Sequence, residues 1–141
     1  MIKVFFDASV IFSAIYSPVG GSRKLIELVK TKKIIGITSE NIIKELKDNL
    51  DKLKNTDIED VNQFISNSNL LVRQKITFSE SKKYSRVVEE KDLHVVAGAI
   101  VTKCDYLVTL DRKHLNHPTV KRKLSKIEIV SSKELLEKLV K

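Results

Sequence analysis

The chain has a single cysteine, Cys104, and no tryptophan. A lone thiol can form neither an internal disulfide nor a cysteine-based zinc cluster. Glycine and proline are scarce, at four and two residues in 141, which excludes collagen-like and low-complexity architectures. No stretch approaches the ~18 consecutive apolar residues of a membrane-spanning helix. The opening Met1-Ile2-Lys3-Val4-Phe5-Phe6-Asp7 is too short and turns acidic too early for a secretory leader, so a cytoplasmic protein is expected. With neither a Walker loop nor a G-x-G-x-x-G turn, a glycine cradle for phosphate is not expected either.

What is present suits one domain over residues 1–141. The chain is 42% apolar and 31% charged, enough apolar material at this length to bury a core without a staple. Its net charge of +8 is unevenly spread. The excess gathers in 112–126, where Arg112, Lys113, Lys121, Arg122, Lys123 and Lys126 occur with no acid among them. A one-sided basic run is the electrostatic footprint of a polyanion such as RNA. A solvated lysine-rich surface is the alternative reading.

Short apolar runs at 2–6, 34–38, 70–72, 106–109 and 127–130 read as strands. Helical patterns separate them. Ser22 is expected to cap a helix, Ser39 to open one with a stripe of Ile42, Leu46, Leu50 and Leu53, and Thr56 with Glu59 to form a capping box. A helix is expected through 79–89 and another from Asp92. Ser131 with Glu134 makes a capping box for the last one. Strands alternating with helices imply a parallel sheet covered on both faces, an α/β three-layer architecture with about five strands. In such sheets, ligands bind beyond the carboxyl ends of the strands.

Four acids fall at that end. Asp7 follows strand one, Glu45 lies on the helix after strand two, Asp92 opens the helix before strand four, and Asp111 lies just past strand four. Each also has a purely structural reading: Asp7 and Asp92 as helix caps, Asp111 in an Asx-turn, Glu45 on a helix surface. Asp105 serves as an internal control. It begins strand four, roughly 20 Å from Asp111 at ~3.3 Å per residue, and is expected to be structural. Four converging carboxylates repel one another unless they are protonated or bind cations. An all-oxygen set suits Mg²⁺ or Mn²⁺, and two such ions match the charge arithmetic of two-metal phosphodiester cleavage. His114 and His117 have a spacing that hints at metal, but contact with phosphates is the plainer reading.

In order and spacing, four segments resemble the PIN-domain family, a nuclease fold. They are Phe5-Phe6-Asp7-Ala8-Ser9, Ser39-Glu40-Asn41-Ile42-Ile43-Lys44-Glu45-Leu46, Lys91-Asp92-Leu93-His94-Val95-Val96-Ala97-Gly98, and Asp105-Tyr106-Leu107-Val108-Thr109-Leu110-Asp111. The resemblance implies Asp7, Glu45, Asp92 and Asp111 as metal-binding catalytic acids, supported by hydrogen bonds from Ser9 and Thr109. It implies a Mg²⁺- or Mn²⁺-dependent endoribonuclease acting on single-stranded RNA. At this size it further implies the toxin of a toxin–antitoxin pair, with a small antitoxin partner and a homodimer. Gly98 departs from the family's usual Ala. Two other readings stand beside this one: a non-catalytic RNA-binding or protein-interaction module on the same fold, and an RNA-processing or decay nuclease outside any such pair. A phosphoacceptor receiver domain is disfavoured, because strand three runs into Val72-Arg73-Gln74 with no acceptor Asp.

Overall fold

The computed structural model describes residues 1–53 and 56–140. Five strands form one parallel sheet: β1 Lys3–Phe6, β2 Ile35–Ser39, β3 Leu71–Arg73, β4 Tyr106–Val108 and β5 Glu128–Val130. Their order is β3-β2-β1-β4-β5, with Phe5 level with Ile37 on one side and with Leu107 on the other. β1 is therefore central. The chain builds one side outward from it, then returns to build the other, which makes the β1–β4 boundary the topological switch point.

Eight helices cover the sheet among the described residues: α1 Ala8–Tyr16, α2 Gly21–Lys30, α3 Glu40–Asp48, α4 Ile58–Ser68, α5 Phe78–Ser81, α6 Leu93–Val101, α7 Pro118–Lys123 and α8 Ser132–Val140. α1, α2, α3, α4 and α8 pack as one contiguous group, whereas α6 packs on α5, β1 and β4. Side chains alternate across β1, so neighbours serve opposite layers. A Cβ at Gly98 of α6 would stand 2.5 Å from the Phe5 ring, and one at Gly36, level with Val4, would strike Val29 of α2. Phe5 thus faces α6, while Val4 faces α2. Val4, Phe5 and Phe6 are all fully buried, as a strand covered on both faces requires. The departure at Gly98 has its reason here: α6 approaches β1 too closely for a methyl group over that ring.

Several local expectations shift. α2 begins at Gly21 with Gly20 as its cap, so Ser22 is not the cap; its buried hydroxyl meets Ser132 Oγ of α8 at 2.9 Å. The capping box of α4 is Asp57 with Asp60, one residue beyond the Thr56–Glu59 pair. There the Asp60 N–H donates to Asp57 Oδ1 at 3.0 Å, and the Asp57 N–H donates to Asp60 Oδ2 at 2.9 Å. The helix expected through 79–89 is only α5 plus a 3₁₀ turn, Lys82–Tyr84. The N–H groups of Val87 and Val88 both turn back to the Tyr84 carbonyl, which ends it. Leu50 lies in a 3₁₀ turn after α3, and Leu53 follows it, still buried. Ser39 and Ser131 cap as expected, with Ser39 Oγ accepting from Ile42 N–H and Ser131 Oγ from Glu134 N–H.

Candidate active site

The switch point is held together by hydroxyl groups. Asp7 leaves β1 directly into α1 and caps it, Oδ1 accepting from Ala8 N–H at 2.8 Å. Its Oδ2 accepts from Thr109 Oγ1 at 2.6 Å and from Ser9 Oγ at 3.2 Å. Thr109, fully buried just past β4, also takes the Asp111 N–H on the same oxygen at 3.1 Å, and Ser9 Oγ takes the Leu110 N–H at 3.0 Å. Two hydroxyls thus tie the end of β1 to the loop after β4. Asp111 makes the Asx-turn of its structural reading, Oδ1 accepting from Lys113 N–H and His114 N–H at 3.0 and 2.9 Å.

Opposite lie Glu45 from α3 and Asp92 at the entry of α6. All four acids line one cleft of about 560 Å³. Asp92 occupies the cap position of α6, yet its side chain makes no capping bond. It is only 8% exposed, and Oδ2 finds no hydrogen-bond partner among the described residues; nor does the buried Nδ1 of His94. An uncompensated buried carboxylate oxygen is costly. Half-exposed Glu45 stands 3.8 Å from His94 Nε2.

The electrostatics follow from this geometry. Burial, then the nearby charges of Asp111 and Asp7, push Asp92 up to about 6. Burial raises Asp7 above the ordinary carboxylate range even against its three hydrogen bonds. Burial and the charges of Asp7 and Asp92 raise Glu45. Asp111 goes the other way: burial opposes ionisation, but the N–H groups of His114 and Lys113 and the His114 ring outweigh it and hold the group low. Desolvation keeps His94 below its usual value. Three acids facing one space thus resist losing their protons together, which is the signature of a site lacking positive charge. The orphaned oxygen of Asp92 shows that the donor set fits a hard divalent cation such as Mg²⁺ or Mn²⁺.

Three residues at or beside the cleft, Lys52, Lys91 and Glu89, escaped the sequence reading. Lys52 and Lys91 line it and are its nearest cations. Glu89 and His114 come together with Asp92, their candidate donor atoms all within 4.8 Å of one another. His114 was legible only through its pairing with His117. That pairing does not form a site, since His117 Nδ1 accepts from Thr119 N–H and caps α7. The basic set divides between two places. Arg112 and Lys113 are exposed directly after Asp111, and Arg122 and Lys123 are exposed on α7. Lys121 and Lys126 line a separate hollow with Asp105 and Glu128, at the amino end of β4 and β5. Asp105 is structural, as its control role required: its Oδ2 accepts from Lys3 N–H at 2.8 Å.

No curated protein matches this sequence. Among solved structures, the fold is similar to VapBC2 from Rickettsia felis, crystallised bound to a DNA fragment from its promoter, with a TM-score of 0.64, 16% identity, and coverage of 92% of this chain and 98% of that one. It is also similar to PAE2754 from Pyrobaculum aerophilum, with a TM-score of 0.63, 16% identity, and coverage of 99% and 96%. The sequence itself matches the PIN domain family over residues 3–113, a span that runs from β1 through the Asx-turn of Asp111. Match and architecture agree, and the chain belongs to the PIN-domain family.

Proposed function

We propose that this protein is a divalent-cation-dependent endoribonuclease that cleaves single-stranded RNA, with Asp7, Glu45, Asp92 and Asp111 as its metal-binding catalytic acids. The observation that carries the reading is one cleft lined by these four acids, in which a buried oxygen of Asp92 has no partner. The chemistry that Mg²⁺ or Mn²⁺ supplies when bound is Lewis acidity toward a water and the scissile phosphate. The chain's own groups do the rest. Ser9, Thr109 and the Ala8 N–H fix the direction of Asp7. Asp92 and Glu45 present oxygens from the opposite side. Lys52 and Lys91 at the cleft, with Arg112 and Lys113 beside Asp111, attract the phosphate backbone without reading sequence. Arg122 and Lys123 on α7 extend that basic surface, whereas Lys121 and Lys126 lie at the sheet's other end and take no part in it.

The physiological assignment is the toxin of a toxin–antitoxin pair acting in the cytoplasm, with a small antitoxin partner and a homodimer. The fold likeness to VapBC2 supports it. Among the described residues, no helix is long and apolar enough to cross a membrane.

The test is cleavage of an unstructured end-labelled RNA with Mn²⁺. Asp7→Asn is expected to slow cleavage by roughly a hundredfold or more, and chelation is expected to stop it. Equal rates for the two proteins overturn the reading.

A further inference from the structure

We propose that Glu89, Asp92 and His114 form a cation position of mixed carboxylate and imidazole character at the edge of the cleft, and that it takes first-row transition ions such as Mn²⁺ in preference to Mg²⁺. The inference rests on the nuclease reading for the role of the cleft, and it concerns which ion the cleft selects.

Glu89 and Asp92 flank one 3₁₀ turn, Glu90–Asp92, whose ends are joined by the Asp92 N–H donating to the Glu89 carbonyl, and His114 comes from the distant loop after β4. The fold nevertheless brings one donor atom of each within 4.8 Å of the others. His114 Nε2 and Glu89 Oε1 are 3.4 Å apart. Two donors held ~2.1 Å from one ion stand about 3.0 Å apart at the right angle of an octahedron and about 3.4 Å apart at a tetrahedral angle, so this separation is within a small adjustment of a shared ion. The second ring nitrogen, Nδ1, lies 3.4 Å from Asp111 Oδ2, and Asp111 is itself anchored by two backbone N–H groups on Oδ1. A carboxylate behind the far nitrogen is the usual way a metal-binding imidazole is aimed.

A simple ion pair between His114 and Glu89 accounts for those two residues alone. It leaves the third unexplained. Asp92, more than nine-tenths buried, has an oxygen with no hydrogen-bond partner. A cation shared by all three gives the Asp92 carboxylate a partner that its neighbours among the described residues leave it without, and explains why His114 comes to this turn. The chemistry also sets the preference. Mn²⁺ shares the preference of Mg²⁺ for oxygen, but Mg²⁺ gives up water reluctantly, and affinity for a site that includes imidazole nitrogen rises along the series that begins with Mn²⁺.

The experiment uses the full chain, stripped with chelator and titrated calorimetrically with Mn²⁺ alone and with Mg²⁺ alone. Wild type is expected to bind Mn²⁺ about tenfold or more tightly than Mg²⁺. His114→Ala and Glu89→Gln are each expected to weaken Mn²⁺ binding about tenfold or more while leaving Mg²⁺ binding within about twofold. Glu89 is well exposed, so its variant remains informative even where the loss of His114 impairs folding. In protein labelled with ¹⁵N at the imidazoles, Zn²⁺ is expected to shift Nε2 of His114 and not the His117 ring. Equal affinities for the two ions, or wild-type Mn²⁺ affinity in both variants, overturn the inference. Failure of the nuclease reading looks different: the same ion preferences with RNA left uncut.

Discussion

The two walls of the cleft hold the same kind of residue in opposite conditions. On the sheet side, Asp7 is 7% exposed and accepts three hydrogen bonds; on the helix side, Asp92 is 8% exposed and has an oxygen with none. Burial is equal, so burial does not distinguish them. The number of donors within reach does. The sheet wall is organised by the protein's own hydroxyl and amide groups, while the helix wall is left for something else to complete. One side thus carries its own donors, and the other leaves an acceptor oxygen without one among the described residues.

The largest effect is expected from breaking the sheet wall. Thr109→Val keeps the shape but removes the hydroxyl shared by Asp7 and the Asp111 N–H. The buried Asp7 carboxylate loses a partner at about 1–3 kcal/mol and the part-buried Asp111 N–H loses one at a lower cost, so urea denaturation should show a loss of about 2–3 kcal/mol. Next comes the spacing between the walls. Gly98→Ala pushes a methyl group into the buried Phe5 ring, and overpacking of this sort costs about 1–3 kcal/mol. Adding Phe5→Leu to the same chain should return part of that loss, as thermal melts of the single and double variants can establish.

A smaller effect of opposite sign is expected on the helix wall. Without a cation, Asp92→Asn should stabilise the fold by about 1 kcal/mol at pH 7 by removing a repelled charge. The pH dependence has a definite direction. Asp92 rises from 3.8 to about 6 on folding, so between those values the folded chain holds a proton that the unfolded chain releases. Wild type therefore loses stability as pH rises through that window, and the amide does not. The advantage of Asp92→Asn should be full at pH 7 and shrink toward pH 5. The wild-type-minus-variant difference isolates Asp92 from His94, whose lowered pKa acts in the opposite sense. Mn²⁺ should reverse the order of the two melting temperatures, since it stabilises only the chain that binds it. Smallest is the contribution of the flanking cations. Lys91→Ala should weaken RNA binding slightly and flatten the salt dependence by about 0.7 in logarithmic slope, with Lys126→Ala, at the far end of the sheet, as the silent control.

How far the sequence foretells these walls depends on how local the cause is. β1 with Asp7 and β4 with Thr109 and Asp111 announce themselves as buried runs ending in polar residues, and a parallel sheet forces their ends together. Ser39 and Ser131 cap through partners three residues away, well within reach of pattern reading. The shift from Thr56 to Asp57 is a contest between adjacent capping side chains, too fine for spacing to settle. Glu89 lies in a polar stretch with no period, and it meets His114 only because the loop after β4 comes up to the turn ahead of α6. Charge along 112–126 says nothing about direction, and α7 and the residues after it take part of it, Lys121 and Lys126, to the sheet's other end. Gly98 reads as a mere departure until the Phe5 ring is seen beneath it.

The central place of β1 between two strands from distant parts of the chain has a consequence for synthesis. A growing polypeptide presents Asp7, Glu45 and Asp92 long before it contains Thr109, whose hydroxyl lies 102 residues from the carboxylate it fixes. Until β4 has emerged and docked, the first strand has no neighbour on that flank and its acid no proper orientation. On the proposed nuclease reading, cutting power therefore arrives late, as a property of the finished molecule, because a chain still on the ribosome lacks the hydroxyl that fixes Asp7.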